Sequence, residues 1–163
     1  MPKQLKLRAA DEEDISVISA CLQDALVQCE NLSFLPGERR FVMLAKRFKW
    51  EHCPEFMKDS GPAAAPCESY ERTNCVVVFD DVTGVRLLDL KKPPGCDVLE
   101  LLAIAVEPAD EEGDSGDPAR LVLFFGGGGV IRLEVGRILC HLEDLGEPWT
   151  TSRRPCHPLD EAE

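Results

Sequence analysis

Three dipeptides set a thiol beside an imidazole, His52-Cys53, Cys140-His141 and Cys156-His157, and between them they hold every histidine of the chain. Thiolates and neutral imidazoles are ordinary zinc ligands, and a cysteine beside a histidine is an ordinary nucleophile, so chemistry is sought here first. Their spacing argues against both roles. Neighbouring residues on a strand or helix point apart, and no C-x-x-C, H-x-x-x-H or H-E-x-x-H pattern accompanies them. Cys140 falls within an apolar periodic stretch and reads as packing. The carboxylate pairs Asp11/Asp14 and Asp80-Asp81 read as helix N-terminal acids and as turn residues. The acidic run from Glu107 to Asp117 lacks the D-x-D-x-D-G spacing of a calcium loop. Gly126 to Gly129 belong to neither a G-x-G-x-x-G nor a Gly-Lys-Ser/Thr element, so a hairpin turn accounts for them. No catalytic residue, metal or cofactor is expected from these patterns, and the balance leans away from an enzyme.

One group is less ordinary. Arg39, Arg40, Arg47 and Trp50 gather cations and a large aromatic along one stretch of an otherwise acidic chain. A strand with solvated ends would carry the same residues, but Arg and Trp are also the side chains that interfaces favour, so these four are the candidate binding residues. Trp149 with Arg153 and Arg154 forms a second such group.

The chain that must position them has 163 residues, 44% of them hydrophobic and 29% charged, which suits one folded domain. Its formal net charge of -12 repels phosphate backbones and anionic lipid, so nucleic acid and membrane surface are not expected as partners. No apolar run follows Met1 to Lys6, and none is long enough to span a bilayer, so no export signal or membrane span is expected. Eight cysteines without an export signal are read as reduced thiols of a cytoplasmic protein.

Leu5 and Leu7 alternate with basic residues as in a short edge strand. Asp11 and Asp14 precede Ile15, Ile18 and Leu22 at helical spacing, which places a helix near residues 12 to 22. Ala25 to Val27 fits either period. Pro36-Gly37 between two apolar stretches predicts a hairpin over residues 31 to 48. Residues 51 to 73 have no period and read as a long exposed loop. Cys75 to Phe79, Val85 to Leu90 and Val98 to Val106 read as strands, and Leu121 to Leu133 as a hairpin about its glycines. Val135, Ile138, Leu139, Leu142 and Leu145 fall on one helical stripe, Gly146 fits a C′ position and Pro148 bars continuation, so a C-terminal amphipathic helix is expected.

The expected fold is α+β: a mostly antiparallel sheet of about seven strands with a helix at each end, either a pleckstrin-homology-like barrel or a roll. Residues 1–150 form one domain on this reading, and 151–163 a polar, loosely held tail.

Leu22-Gln23-Asp24-Ala25, Phe34-Leu35-Pro36-Gly37-Glu38-Arg39-Arg40-Phe41, Arg47-Phe48-Lys49-Trp50-Glu51, Leu101-Leu102-Ala103-Ile104, Gly127 to Val135 and Leu142 to Trp149 together resemble a bacterial family catalogued as domain of unknown function 2948, found mainly in alphaproteobacteria. The resemblance implies no activity, ligand or catalytic residue. The functional expectation is therefore a non-catalytic protein-binding or adaptor module of the bacterial cytoplasm. The alternative is a small-ligand binder or enzyme whose site is assembled from residues distant in sequence, between the sheet and the first helix.

Overall fold

The computed structural model describes residues 4–50, 70–89, 98–108 and 119–151. Strand β1 (Lys6–Ala9) leads into helix α1 (Glu12–Leu22). The Asp11 carboxylate accepts from the Asp14 amide at 2.8 Å, and the Asp14 carboxylate accepts from the Ala10 amide at 3.1 Å. The cap satisfies one free donor of the first turn and ties the amide just ahead of the helix, and it puts negative charge at the positive end of the helix. Asp24, at φ 64, reverses the chain into β2 (Ala25–Gln28). A single 3-10 turn (Cys29–Asn31) bends it into β3 (Leu32–Leu35), and the Pro36-Gly37 turn returns it as β4 (Arg40–Phe48). Then come β5 (Tyr70–Phe79), β6 (Val82–Leu88), β7 (Val98–Pro108), β8 (Ala119–Phe125), β9 (Val130–Val135) and β10 (Cys140–Thr151).

All ten strands join one antiparallel sheet in the order β1-β10-β5-β4-β2-β7-β8-β9-β6, with β3 beside β4. Alternation along each strand sends one set of side chains inward. One inward row runs Phe34, Phe41, Phe79, Cys140, Ala9, and the next Leu32, Met43, Val77, Leu142, Leu7. From the other half come Leu87, Ile131, Leu123, Ile104 and Val85, Leu133, Leu121, Val106. Buried members of both halves meet in a single core, so the sheet curls upon itself. Ile15, Ile18 and Leu22 of α1 enter that core, and Ser19 Oγ accepts from the Ile104 amide at 2.9 Å. The space between the helix and the sheet is therefore packed.

The α+β class, the antiparallel sheet, α1 and both hairpins match the expectations from sequence; the strand count and the C-terminal helix do not. Ten strands replace about seven, in part because Ala25–Gln28 joins β7 as well as β4. Residues 140 to 151 form a strand where the helix was expected, and the pleckstrin-homology-like arrangement that rested on that helix goes with it. β10 lies between β1 and β5, and its backbone is paired with both. That pairing puts Cys140, Leu142 and Asp144 inward while Leu145 stays 39% exposed, a period of two that the helical spacing of the leucines conceals. Gly146, at φ 69, and Pro148 lie in the register shift between Leu145 and Trp149. Residues 70 to 73 of the expected loop belong to β5, and Thr151 of the expected tail pairs with Tyr70. Residues 51–69, the turn expected at 91–95, most of the acidic connection and residues 152–163 lie outside the described residues.

Leu142→Ala should cost about 2–5 kcal/mol, the usual range for truncating a buried leucine. Leu145→Ala should cost well under about 1 kcal/mol, as an exposed position does. Urea melts of the two variants check the strand, since a helical stripe would make their costs alike.

Candidate functional site

Of the candidate binding residues Arg40 and Arg47 lie on β4 while Arg39 and Trp50 flank it, and the two ends of the strand meet different surroundings. Near its C-terminal end Arg47 points inward on the same face as Ala45, whose partner across the strands is Cys75 and then Asp144 of β10. The small residues Ala45, Cys75 and Thr73 leave room for a guanidinium. Arg47 Nε and Nη2 donate to the two oxygens of Asp144 at 2.7 and 2.8 Å, with both side chains almost wholly enclosed. Asp144 Oδ2 also accepts from the Leu5 amide at 2.9 Å, while the Asp144 amide donates to Leu5 O at 2.9 Å. A buried bidentate pair whose carboxylate also accepts a backbone amide is a structural joint. Trp50 is also buried: it packs on Phe48 with ring centroids 4.6 Å apart, and its Nε1 donates to Gln23 O at 2.8 Å. Arg72 stands 5.7 Å over the Phe48 ring; burial lowers its pKa, against the attraction of Asp24 and Glu100.

The expectation that Arg39, Arg40, Arg47 and Trp50 share one exposed surface is corrected here. Arg47 lies seven strand steps beyond Arg40, roughly 23 Å at a strand's rise, and Arg47 and Trp50 face the interior. Sequence alone could not reveal this, because the acid that takes Arg47 out of solvent lies 97 residues away.

At the other end of β4 three loops converge: residues 36–39, Asp80-Asp81 and residues 136–139. Backbone bonds tie them, from the Val82 amide to Arg39 O at 2.8 Å, the Asp80 amide to Leu139 O at 2.8 Å and the Gly136 amide to Asp81 O at 3.0 Å. Arg39 and Asp81 both adopt left-handed backbone, at φ 54 and 57, which for an arginine is uncommon. A Cβ on Gly136 would stand 2.7 Å from Asp81 Oδ2, so any larger residue here would push the Asp81 carboxylate aside. The loops line a shallow polar cleft of about 570 Å³. In it Arg40 Nε donates to Asp80 Oδ1 at 2.9 Å, and His141 Nδ1 lies 3.4 Å from Asp80 Oδ2. Arg39 and Arg137 approach the two oxygens of Asp81 only to 3.9 Å, with side chains 69% and 70% exposed. Those two contacts are longer than hydrogen bonds, and such exposed pairs contribute little, so the guanidiniums can turn to an incoming carboxylate. Arg137 was missed from sequence because the expected helix turned it to solvent; it is brought to Arg39 by the loop after β9.

The Val82–Arg39 contact is also the closed end of a slit. Beyond it β3 and β6 diverge, and among the described residues β3 pairs with β4 and β6 with β9, not with each other. Leu32, Phe34 and Phe41 on one side and Val85, Leu87 and Ile131 on the other line an apolar groove of about 370 Å³.

The thiols within the core are poorly suited to nucleophilic work. Burial pushes Cys75 up to about 12, with Arg47 opposing the rise and Asp144 adding to it. Burial, with a contribution from Asp80, likewise raises Cys140 to about 12. The thiolate is the nucleophile, so raising the thiol pKa makes these two poor ones. Among the described residues no three His, Cys, Asp or Glu side chains gather as metal ligands would, and no helix is long and apolar enough to cross a membrane.

The profile of the family described as "Protein of unknown function (DUF2948)" matches residues 5–157, and the chain belongs to that family. Comparisons with curated proteins and with solved structures find no match.

Removing one partner of the buried ion pair, as in Arg47→Met or Asp144→Leu, should cost about 3–5 kcal/mol because it strands the other charge. The double variant should recover much of that loss, measurable as a double-mutant cycle in urea. The cysteines yield an alkaline expectation. Below pH 9.0, the ordinary thiol value, folded and unfolded chains both keep the protons. Above it the unfolded chain sheds protons that the native state retains, so stability falls toward pH 12, by up to about 1.4 kcal/mol per pH unit for each thiol. Melts between pH 8 and 10.5 should show that decline, and Cys75→Ala with Cys140→Ala should flatten it.

Proposed function

We propose that this family member is a non-catalytic protein-binding module of the bacterial cytoplasm, and that it takes an acidic partner at the three-loop end of its sheet. The observation that carries this reading is the convergence of Arg39 and Arg137 on Asp81 at 3.9 Å with both guanidiniums exposed. Two planar, permanently charged forks share one carboxylate, and a second carboxylate from outside completes the set. The backbone ties and the left-handed residues Arg39 and Asp81 hold the arms in place, which lowers the ordering cost of binding. Raised thiol pKa values and structurally engaged buried charges favour recognition over chemistry.

Affinity capture from a lysate of the native host tests the reading with wild type and Arg39→Glu/Arg137→Glu. Both positions are exposed, so thermal melts of the two proteins should coincide. Wild type should retain a partner, most strongly at low salt, and the variant should recover at most about a tenth as much, the loss expected when a docking charge is reversed. Equal recovery by both folded proteins would reject this surface.

A further inference from the structure

We infer that β6 is a docking edge, to which an extended partner segment of alternating apolar and acidic residues adds as a further strand. This rests on the reading of the domain as a protein-binding module and names the chemistry of its partner. β6 ends the sheet, and among the described residues its far edge has no strand paired to it. An end strand offers unpaired amides and carbonyls to another chain, and extended peptides bind in this way.

Leu87 identifies what the added strand must carry on one face. It lies in an inward row with Ile131, Leu123 and Ile104, of which Ile131 and Leu123 are wholly buried, yet Leu87 is 60% exposed. An inward leucine left in water marks a core row that lacks its next member, and the groove beside it has room for apolar side chains.

The outward face identifies the other half of the pattern. Arg86 stands directly opposite Arg132 on β9, and among the described residues neither forms an ion pair. By contrast, Arg120 on the same sheet is matched to Glu134 at 2.8 Å. Like charges facing one another across strands repel, and a carboxylate on the next strand relieves the repulsion. The chain's net charge of -12 does not prevent this: at physiological ionic strength charges beyond about 8 Å are screened, and the local arginines dominate. Because side chains alternate, one strand satisfies both faces with apolar residues inward and acids outward.

Fluorescence anisotropy tests the inference with a labelled synthetic peptide of alternating Val and Glu, about eight residues long to run along β6. Two further peptides serve as comparisons, one with Lys in place of Glu and one with alternate amides N-methylated along one edge. The Val/Glu peptide should bind intact protein, the other two should bind at least about ten-fold more weakly, and Arg86→Glu should invert the preference between Glu and Lys peptides. Leu87→Glu should abolish binding without lowering the melting temperature. Equal binding of the N-methylated peptide would reject strand addition, and equal binding of the Lys peptide would reject the acidic pattern. No binding by the Val/Glu peptide would reject the proposal, as would a dimer in sedimentation that Leu87→Glu dissolves, which would seat a second copy in the slit. Arg39 and Arg137 lie on other loops, so retained partner capture alongside peptide failure would reject strand addition alone. Capture unaffected by Arg39→Glu/Arg137→Glu would remove the three-loop reading instead.

Discussion

The bidentate pair between Arg47 and Asp144 ties together strands that are far apart in the chain. It crosses β5 to join β4 to β10, and the Leu5 bonds to Asp144 carry the tie on toward β1. A strand slipped by one residue turns its inward side chains to solvent. Here such a slip would also part a buried guanidinium from its carboxylate, which costs far more than one misplaced apolar contact. The pair therefore acts as a register pin: Ala45, Cys75 and Thr73 stay small around it, and the leucine and phenylalanine rows that lie in succession on one side of it follow from its position.

The same constraint explains why residues 140 to 151 extend. As a helix they would have buried one stripe and left the backbone edge of β5, with Val76, Val77 and Val78, without this partner. As a strand they complete β5, place Leu142 against Val77 and deliver Asp144 to Arg47. Local periodicity is a weak preference beside a ladder satisfied on both edges and a matched buried charge.

Away from the pin the sheet is less completely closed. The kink at Cys29–Asn31 parts β3 from β2, and the reversal at Asp80-Asp81 sends β6 to the opposite end of the strand order from β5. Between these two departures the core is left ajar at Leu87, while the loops that make the departures bring Arg39 and Arg137 to one carboxylate. The charged cleft and the apolar slit thus adjoin across the Arg39–Val82 contact.

What the sequence determined by itself is what short-range chemistry decides. Asp11 and Asp14 cap a helix whose Ile15, Ile18 and Leu22 share a face, Pro36-Gly37 turns a hairpin, and the glycines after Phe125 turn another. Each depends on residues within a few positions, and each formed where its pattern lay. Arg39 and Arg40 could likewise be read as an exposed cationic group. Only the tertiary structure decided that Arg47 and Trp50 turn inward, that Leu142 and Leu145 fall on opposite faces of a strand, and that Arg137 joins Arg39. In every such case the deciding partner lies tens of residues away; for Arg47 it is a buried charge and for β10 a completed ladder, each of which outweighs the local spacing that would have predicted otherwise.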